Sequence, residues 1–323
     1  MREERRREQA KRLNLLKGIE EENEEIDEKD EKDEKEELEE KEEKKSHKFL
    51  IITILIILLL AAYSTYIEPK YLFKVNEYMV NTKKIDKNMH GLKIVVFSDI
   101  HYGITTGEKE LKNYVEKINA LKPDIIFFTG DLFDNNINVQ ENSINTIKEE
   151  LKKLDASLYK YAIFGDQDYS NKEQYLDVLN ASNFILIDNE SKLLYNESNT
   201  PIVITGINKY DKKDNSFITN PIEEIDTSNY LRIILDHEPD NIDSYINTHP
   251  DLIFNAHSLG GLIKIPKIGG IINNKGSKKH NKTYEKINNT LVYNSSGLGT
   301  SNIRIRLNNP PSISLFRLYL DKK

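Results

Sequence analysis

Apolar and polar positions divide the chain into three stretches. From residue 1 to 48 apolar residues are sparse and follow no period, and the run from Glu28 to Glu37 is wholly charged. Such a stretch cannot bury a core, so a disordered tail or a solvated single helix is expected. From Phe49 to Ile67 the pattern inverts: 19 residues carry no charge, and Ile51 to Leu60 is almost wholly aliphatic. At about 1.5 Å per residue, a helix of that length reaches about 28 Å, close to the hydrocarbon thickness of a bilayer. A buried core helix and a cleaved signal peptide are the alternatives. An apolar surface on all sides argues against the first, and the long region upstream argues against the second.

Beyond residue 68 the pattern changes again, to short apolar runs separated by segments of helical period. Leu92 to Phe97, Ile125 to Thr129 and Tyr161 to Phe164 read as buried strands. Between and after them, Glu108 to Leu121, Ser143 to Leu154 and Lys172 to Leu179 have helical spacing, the first through Leu111, Val115, Ile118 and Leu121. Strand–helix–strand alternation predicts an open α/β sheet with crossovers. Later runs follow with fewer helices between them: Phe184 to Ile187, Ile202 to Thr205, Leu231 to Leu235, Leu252 to Phe254, Thr290 to Tyr293 and Ser312 to Leu318. They suggest a second, mixed or antiparallel sheet packed on the first. The expected organisation is a charged tail over 1–48, a transmembrane helix over 49–67 and one globular domain over 68–323.

Charge refines this division. Residues 20–43 hold 17 acidic and 4 basic residues, whereas residues 1–19 are basic on balance. The net charge of −7 therefore resides almost entirely before the apolar stretch, and the near-neutral remainder does not suggest a nucleic-acid partner. The tail reads as a solubilising segment whose partner, if it has one, the sequence leaves unassigned. Lys44, Lys45 and Lys48 sit just before the apolar stretch. The positive-inside rule then predicts a single-pass protein of the cell membrane, N-terminus in the cytoplasm and domain outside it. The chain has no cysteine, which excludes disulfides, thiolate metal sites and cysteine nucleophiles.

The polar residues that could carry chemistry collect just after the apolar runs. The first run ends in Ser98-Asp99-Ile100-His101, the second in Gly130-Asp131-Leu132-Phe133-Asp134, and the third in Gly165-Asp166-Gln167-Asp168. The 231–235 run ends in Asp236-His237, and the 252–254 run in Asn255-Ala256-His257. In open α/β sheets the carboxyl ends of the strands form the ligand crevice. Asp and Asn also favour turns, but five strand ends each delivering an Asp or His exceed what turns explain. Asp oxygen and His nitrogen without Cys suit Mn, Fe or Zn, so a divalent metal site of one or two ions is expected.

These motifs resemble, in order, those of the calcineurin-like metallophosphoesterases. Asp99-Ile100-His101 looks like the family's DxH, Gly130-Asp131 with Asp134 like its GDxxD, and Gly165-Asp166-Gln167-Asp168 stands where GNHD is expected. His237, before Glu238-Pro239-Asp240, looks like the lone histidine of the fourth motif. Ala256-His257-Ser258-Leu259-Gly260-Gly261 stands where the family has GHTHGG. Gly297-Leu298-Gly299-Thr300 with Pro310-Pro311 resembles the C-terminal end of a membrane-anchored bacterial branch that includes UDP-2,3-diacylglucosamine pyrophosphatase-like proteins. The resemblance implies a four-layer α/β/β/α sandwich that hydrolyses a phosphodiester, phosphomonoester or pyrophosphate bond, the substrate being a phosphorylated small molecule or lipid. It implies that Asp131 bridges two metals, that Asp99 and His101 hold the first, and that His237 and His257 hold the second. It places His101 and Asp131 at the reacting phosphate, where the metals activate the attacking hydroxide.

Three departures from the family pattern qualify that expectation. Asp166 replaces an asparagine ligand and still offers oxygen. Leu259 replaces the second histidine of GHTH and cannot ligate. Gln167 replaces the histidine credited with protonating the leaving group; it can hydrogen-bond but cannot give up a proton, a loss of about 10² to 10⁴ in rate for poor leaving groups. A slow enzyme and a non-catalytic binder of a metal or phosphorylated ligand both remain open on these residues. Among the remaining histidines, His47, His90 and His249 are expected to be structural or solvated. His280, in the polar stretch 273–289, could reach the crevice and replace the lost ligand. Lys275, Lys278 and Lys279 in the same stretch could attract an anion.

Overall fold

The computed structural model describes residues 2–134, 139–197, 199–208, 228–301 and 303–321. They fall into two compact units, Met1–Ala61 and Ala62–Lys323. The first unit consists of helix α1 (Arg2–Ala62), which continues into the second unit by its last residue. The tail expected to be either disordered or helical is therefore helical. Among the described residues one helix, within Lys41–Tyr71, is long and apolar enough to cross a membrane.

The second unit begins with a π-helical turn at Tyr63–Ile67, followed by the short helix α2 (Glu68–Tyr71). Pro69 accounts for the irregularity, because its ring removes one donor and crowds the carbonyl four residues back. The freed backbone finds partners elsewhere. The Ser64 carbonyl accepts from the Arg306 amide at 2.8 Å. The buried Glu68 carboxylate accepts from the Asn308 amide at 2.9 Å and from the Asn309 amide.

Among the described residues fourteen strands follow. β1 (Lys74–Thr82), β2 (Lys93–Phe97), β3 (Ile125–Phe128), β4 (Tyr159–Ala162) and β5 (Ile185–Leu186) lead to β6 (Glu190–Leu194), β7 (Ile202–Gly206), β8 (Leu231–Leu235) and β9 (Leu252–Asn255). The short hairpin β10 (Lys264–Ile265) and β11 (Gly269–Gly270) precedes β12 (Tyr284–Ile287), β13 (Thr290–Asn294) and β14 (Ser312–Leu320). Helices α3 (Glu108–Ala120), α4 (Glu141–Leu151) and α5 (Lys172–Ala181) are the crossovers after β2, β3 and β4. One six-stranded sheet has the order β1-β14-β2-β3-β4-β5 and the other β12-β13-β9-β8-β7-β6.

The two sheets pack face to face. Ile94 and Val96 of β2 and Phe127 of β3 meet Ile204, Ile233 and Phe254 of the second sheet in one buried cluster. The alternate residues Val95, Phe97, Ile126 and Phe128 point the other way, into a layer formed by Leu111, Val115, Ile147, Tyr175 and Val178 of the crossover helices. Central strands buried on both faces read as continuous apolar runs, which is why they are visible in the sequence. On the outer face of the second sheet, Ile234, Ile253 and Val292 pack against Ile242 and Tyr245 of a single helical turn. The layers are α/β/β/α, the last helical layer being thin among the described residues.

Two expectations need correction. Ser312 to Leu318 does not extend the second sheet: β14 inserts into the first, parallel to β1 and antiparallel to β2. Phe184 to Ile187 also belongs to the first sheet, as the two-residue edge strand β5 parallel to β4. Apolar runs specify that a strand is buried, not which sheet buries it.

The Glu68 contact yields a stability prediction. Glu68→Ala leaves two backbone donors at Asn308 and Asn309 unsatisfied, which costs about 1–3 kcal/mol. Thermal unfolding of the full chain in detergent should show a lowered Tm, and an unchanged Tm would mean that water satisfies those donors as well.

Candidate metal centre

The carboxyl ends of β2, β3, β8 and β9, together with the loop after β4, converge on one buried cluster. All six residues expected as ligands lie in it. Asp131, Asp166, His237 and His257 each offer an atom within 4.8 Å of the others, and so do Asp99, His101 and Asp131. Asp131 is common to both groups. Backbone geometry gives the cluster this shape: Asp99, His101, Asp131 and His257 have φ of 50°, 44°, 61° and 61°, left-handed values that non-glycine residues rarely adopt.

Two glycines allow the β3 and β4 loops to touch. A Cβ on Gly130 would lie 2.4 Å from the Gly165 nitrogen, and one on Gly165 would lie 2.1 Å from Asp131 Oδ1. The contact is fastened by Asp168, a buried carboxylate that accepts from the amides of Asp131, Leu132 and Gly165 at 2.8–2.9 Å. Burial pushes the Asp168 carboxyl up to about 6, against those three donors. Asp168 was visible in the sequence as the last residue of its motif, but its role in tying two loops together was not.

The histidines fit a cation. His237 Nδ1 donates to the Thr129 carbonyl at 2.7 Å, so its Nε2 faces inward. That nitrogen lies 3.1 Å from Asp131 Oδ2 and 3.2 Å from Asp166 Oδ1, yet it is aligned for a hydrogen bond with neither. His257 repeats the pattern: Nε2 donates to the Lys275 carbonyl at 2.7 Å, and Nδ1 faces Asp166 Oδ1 at 3.0 Å. Imidazoles oriented outward by a carbonyl, with the second nitrogen turned toward carboxylates, are what a divalent ion requires. Among the described residues the ion-pair partners of Asp99, Asp131 and Asp166 are histidines alone.

Titration follows from this crowding. Burial raises the Asp131 carboxyl to about 8, although His237 opposes it. Burial alone would lower His237, but Asp131 and Asp166 raise it well above the usual imidazole value. Burial would raise Asp166, but contacts with His237 and His257 hold it well below the carboxylate range. Burial lowers His101, with Asp99 and Asp134 opposing. Its Nδ1 lacks a hydrogen-bond partner and lies 3.6 Å from Asp134 Oδ2, which also accepts from the Ser301 hydroxyl.

The altered positions are equally explicit. Gln167 lines the cleft beside Asp131 and Asp166; its amide nitrogen donates to Asp131 Oδ1 and its side chain to Asp166 Oδ2. Leu259 is buried against Gly297 beside Asp99, so the smaller group gains no ligand there. His280 does not replace it. That ring lies between Asp243 and Glu285, at 3.1 and 3.2 Å, and belongs to neither ligand group.

The cluster opens into a cleft of about 780 Å³. Lys275, Lys278, Leu259, Leu262 and Ile303 are among the residues that line it. The polar loop after β11 thus does fold over the crevice, and it brings lysines rather than a fourth histidine.

Comparison with known proteins agrees with this arrangement. Residues 92–273, which carry every strand end of the cluster, match the calcineurin-like phosphoesterase family. The chain is 29% identical over 262 residues to the uncharacterized metallophosphoesterase YkuE of Bacillus subtilis, covering 79% of this chain and 88% of that one. It is 28% identical over 313 residues to the UDP-2,3-diacylglucosamine pyrophosphatase LpxG of Chlamydia trachomatis, covering 79% and 92%. A transmembrane protein with a metallophosphoesterase domain from Danio rerio is 24% identical over 249 residues, covering 72% and 54%. With five motifs in order, two sheets of this topology and a family match over more than half its length, the chain belongs to the calcineurin-like phosphoesterases.

Proposed function

We propose that residues 68–323 form a membrane-tethered metallophosphoesterase domain that hydrolyses a phosphoester or pyrophosphate bond of a lipid-linked or other phosphorylated substrate. The observation that carries the reading is Asp131, shared between two groups of buried oxygen and nitrogen ligands. Divalent ions bound there, Mn, Fe or Zn by donor type, would supply Lewis-acid clamping of the phosphate and activation of the attacking water. Asp131, Asp166, His237 and His257 form the four-residue group, and Asp99, His101 and Asp131 the three-residue group. Leu259 leaves the second group short, so it holds its ion more weakly.

The chain's own residues then decide which bonds break. Lys275 and Lys278 at the cleft wall draw the anionic substrate in. His101 stands near the phosphate position, with its Nδ1 3.6 Å from Asp134 Oδ2. Gln167 steadies the leaving side by hydrogen bonding and gives up no proton, so the leaving group departs as an anion. Pyrophosphates and aryl esters suit such a site; alkyl esters do not. The likeness to LpxG favours a lipid pyrophosphate, and Leu259, Leu262 and Ile303 offer apolar wall to one. Lys44, Lys45 and Lys48 orient the tether with its N-terminus in the cytoplasm and the domain outside. A second reading, a non-catalytic binder of phosphorylated ligands, draws on the same Gln167 and Leu259.

Four outcomes are expected. The full chain in detergent, stripped of metal, should hydrolyse bis-p-nitrophenyl phosphate only when Mn is returned. Asp131→Asn should abolish that activity while leaving the unfolding transition in place, and equal rates for both proteins would leave only the binding reading. Gln167→His should raise hydrolysis of an alkyl phosphate ester by about 10² and change the aryl ester little. If both esters respond alike, Gln167 does not face the leaving group. Metal analysis after dialysis should find about one tight ion per chain, and Leu259→His should raise retention of a second; two tight ions in the unmodified chain would contradict the unequal groups.

A further inference from the structure

A second surface bears on the membrane. The β10–β11 hairpin is short and tightly closed: Lys264 pairs with Gly270 and Ile265 with Gly269. Between them the Ile268 amide donates to the Ile265 carbonyl at 3.1 Å, with Pro266 next in the turn and Lys267 at φ 70°. That is the arrangement of a type II turn, whose backbone is fixed by proline and by the left-handed third position. Isoleucines occupy its outer face. Ile268 is 74% exposed, Ile271 48% and Ile265 40%. A rigid turn that presents three branched aliphatic side chains to water has no reason in the fold itself, because none of the three joins a core cluster.

Its base shows what covers it. Lys264 donates its amide to the Leu307 carbonyl at 2.9 Å and accepts at its own carbonyl from the Asn308 side chain at 3.1 Å. The same short segment holds the membrane-proximal helix on its other side, through Arg306 to Ser64 and through Asn308 and Asn309 to Glu68. Hairpin and helix are thus fastened to one segment four residues long. The helix also exposes Tyr63, Tyr66, Ile67, Tyr71 and Leu72. Tyrosines at the end of an apolar span are the residues that settle at a membrane–water boundary. From Lys264 to the tip is about four residues, so the tip lies within about 13 Å of the hairpin base that this segment holds. Lys267, exposed among the isoleucines, can extend its charge toward headgroups while its stem lies in apolar surroundings.

We infer that the β10–β11 hairpin is a second membrane contact, its Ile265, Ile268 and Ile271 side chains entering the lipid beside the end of the span. This rests on the reading of Phe49–Ile67 as a membrane-crossing helix. Two contacts restrain a domain where one tether would let it swing. Ile303, 44% exposed and on the wall of the cleft, then gives that cleft an apolar lip toward the surface that holds a lipid-linked phosphate.

Because the chain has no cysteine, single-cysteine labelling tests this directly. Ile268→Cys, Leu58→Cys and Asn180→Cys would each carry an environment-sensitive fluorophore in the full chain. The proteins would be reconstituted in vesicles of phosphatidylcholine and phosphatidylglycerol, with and without acyl chains bearing a spin-label quencher. Asn180 is an exposed residue of α5, beside the sheet edge farthest from β1. The expected result is blue-shifted emission and quenching at Ile268 and Leu58, with neither at Asn180. Quenching at Leu58 but not at Ile268 would overturn the hairpin contact and leave the span standing. Absence of quenching at both would overturn the span, and the hairpin contact with it. A blue shift at Ile268 without lipid quenching would mean that a protein surface covers the hairpin, and also overturns the inference. Ile271→Cys repeats the measurement if the first substitution disturbs the turn.

Discussion

Three carboxylates and three histidines, all buried except the half-buried Asp166, lie within a few ångströms of one another, and the rest of the domain is arranged around that fact. Burial disfavours the charged form of each group, and contact between carboxylate and imidazole opposes that penalty. The rise of Asp131 to about 8 and of His237 well above its usual value express the same strain from the two sides of one contact. A divalent cation among them would relieve it. Burial on this scale has little structural use, since an apolar filling would be as stable or more so. What the arrangement achieves is that the candidate ligand atoms face one another at the base of the cleft.

Holding that geometry requires support beyond the ligands. Asp99, His101, Asp131 and His257 sit in left-handed backbone, which costs about 1–2 kcal/mol for each non-glycine residue. The compensation is local and specific. Asp168 satisfies three amides at the two loops that meet, and the Thr129 carbonyl fixes His237. Behind Asp99, the amides of Leu298 and Gly299 donate to its carbonyl. Their loop is held in turn by the fully buried Arg306, whose guanidinium donates to the carbonyls of Ser296, Gly297, Gly299 and Asn309. Among the described residues no carboxylate forms an ion pair with Arg306, although Asp99 and Glu68 lie near enough to favour its charge; its guanidinium serves as a fork of donors for four loop carbonyls.

How much of this was legible follows from what leaves a trace in one dimension. Strands buried on both faces, such as Leu92 to Phe97 and Leu231 to Leu235, announce themselves as apolar runs. β1, β6 and β12 do not, because each is an edge strand with one face in water, and Glu190-Ser191-Lys192 or Tyr284-Glu285-Lys286 has no apolar run to read. The sheet that receives β14 was also hidden, since a 17-residue connection from β13 carries no signal of its destination. At the site, residue types at strand ends pointed to the ligand cluster, and the motif departures at Gln167 and Leu259 were visible as departures. Asp168 and Arg306 gave no comparable signal: a turn aspartate and a lone arginine in a loop look ordinary until the carbonyls and amides around them are seen.

Arg306 also alters the meaning of the anchor. Its amide is bound by the Ser64 carbonyl, and its neighbours Asn308 and Asn309 are bound by Glu68. Its side chain holds the loop behind Asp99, and the Asn309 side chain donates to the Leu259 carbonyl at 2.7 Å. Two steps of hydrogen bonding therefore separate the membrane-proximal helix from the position where the family keeps a metal-binding histidine. A segment that only tethered would need no such contacts, and a flexible, polar linker would serve it better. Here the π-helical turn exposes a carbonyl at the one place where Arg306 can use it, and a buried glutamate is spent on backbone donors of the same segment. The anchor is thus continuous with the back wall of the site. A chain that begins after Glu68 would retain every candidate ligand and the Arg306 guanidinium, and yet lose the contacts that fix the backbone of residues 306–309.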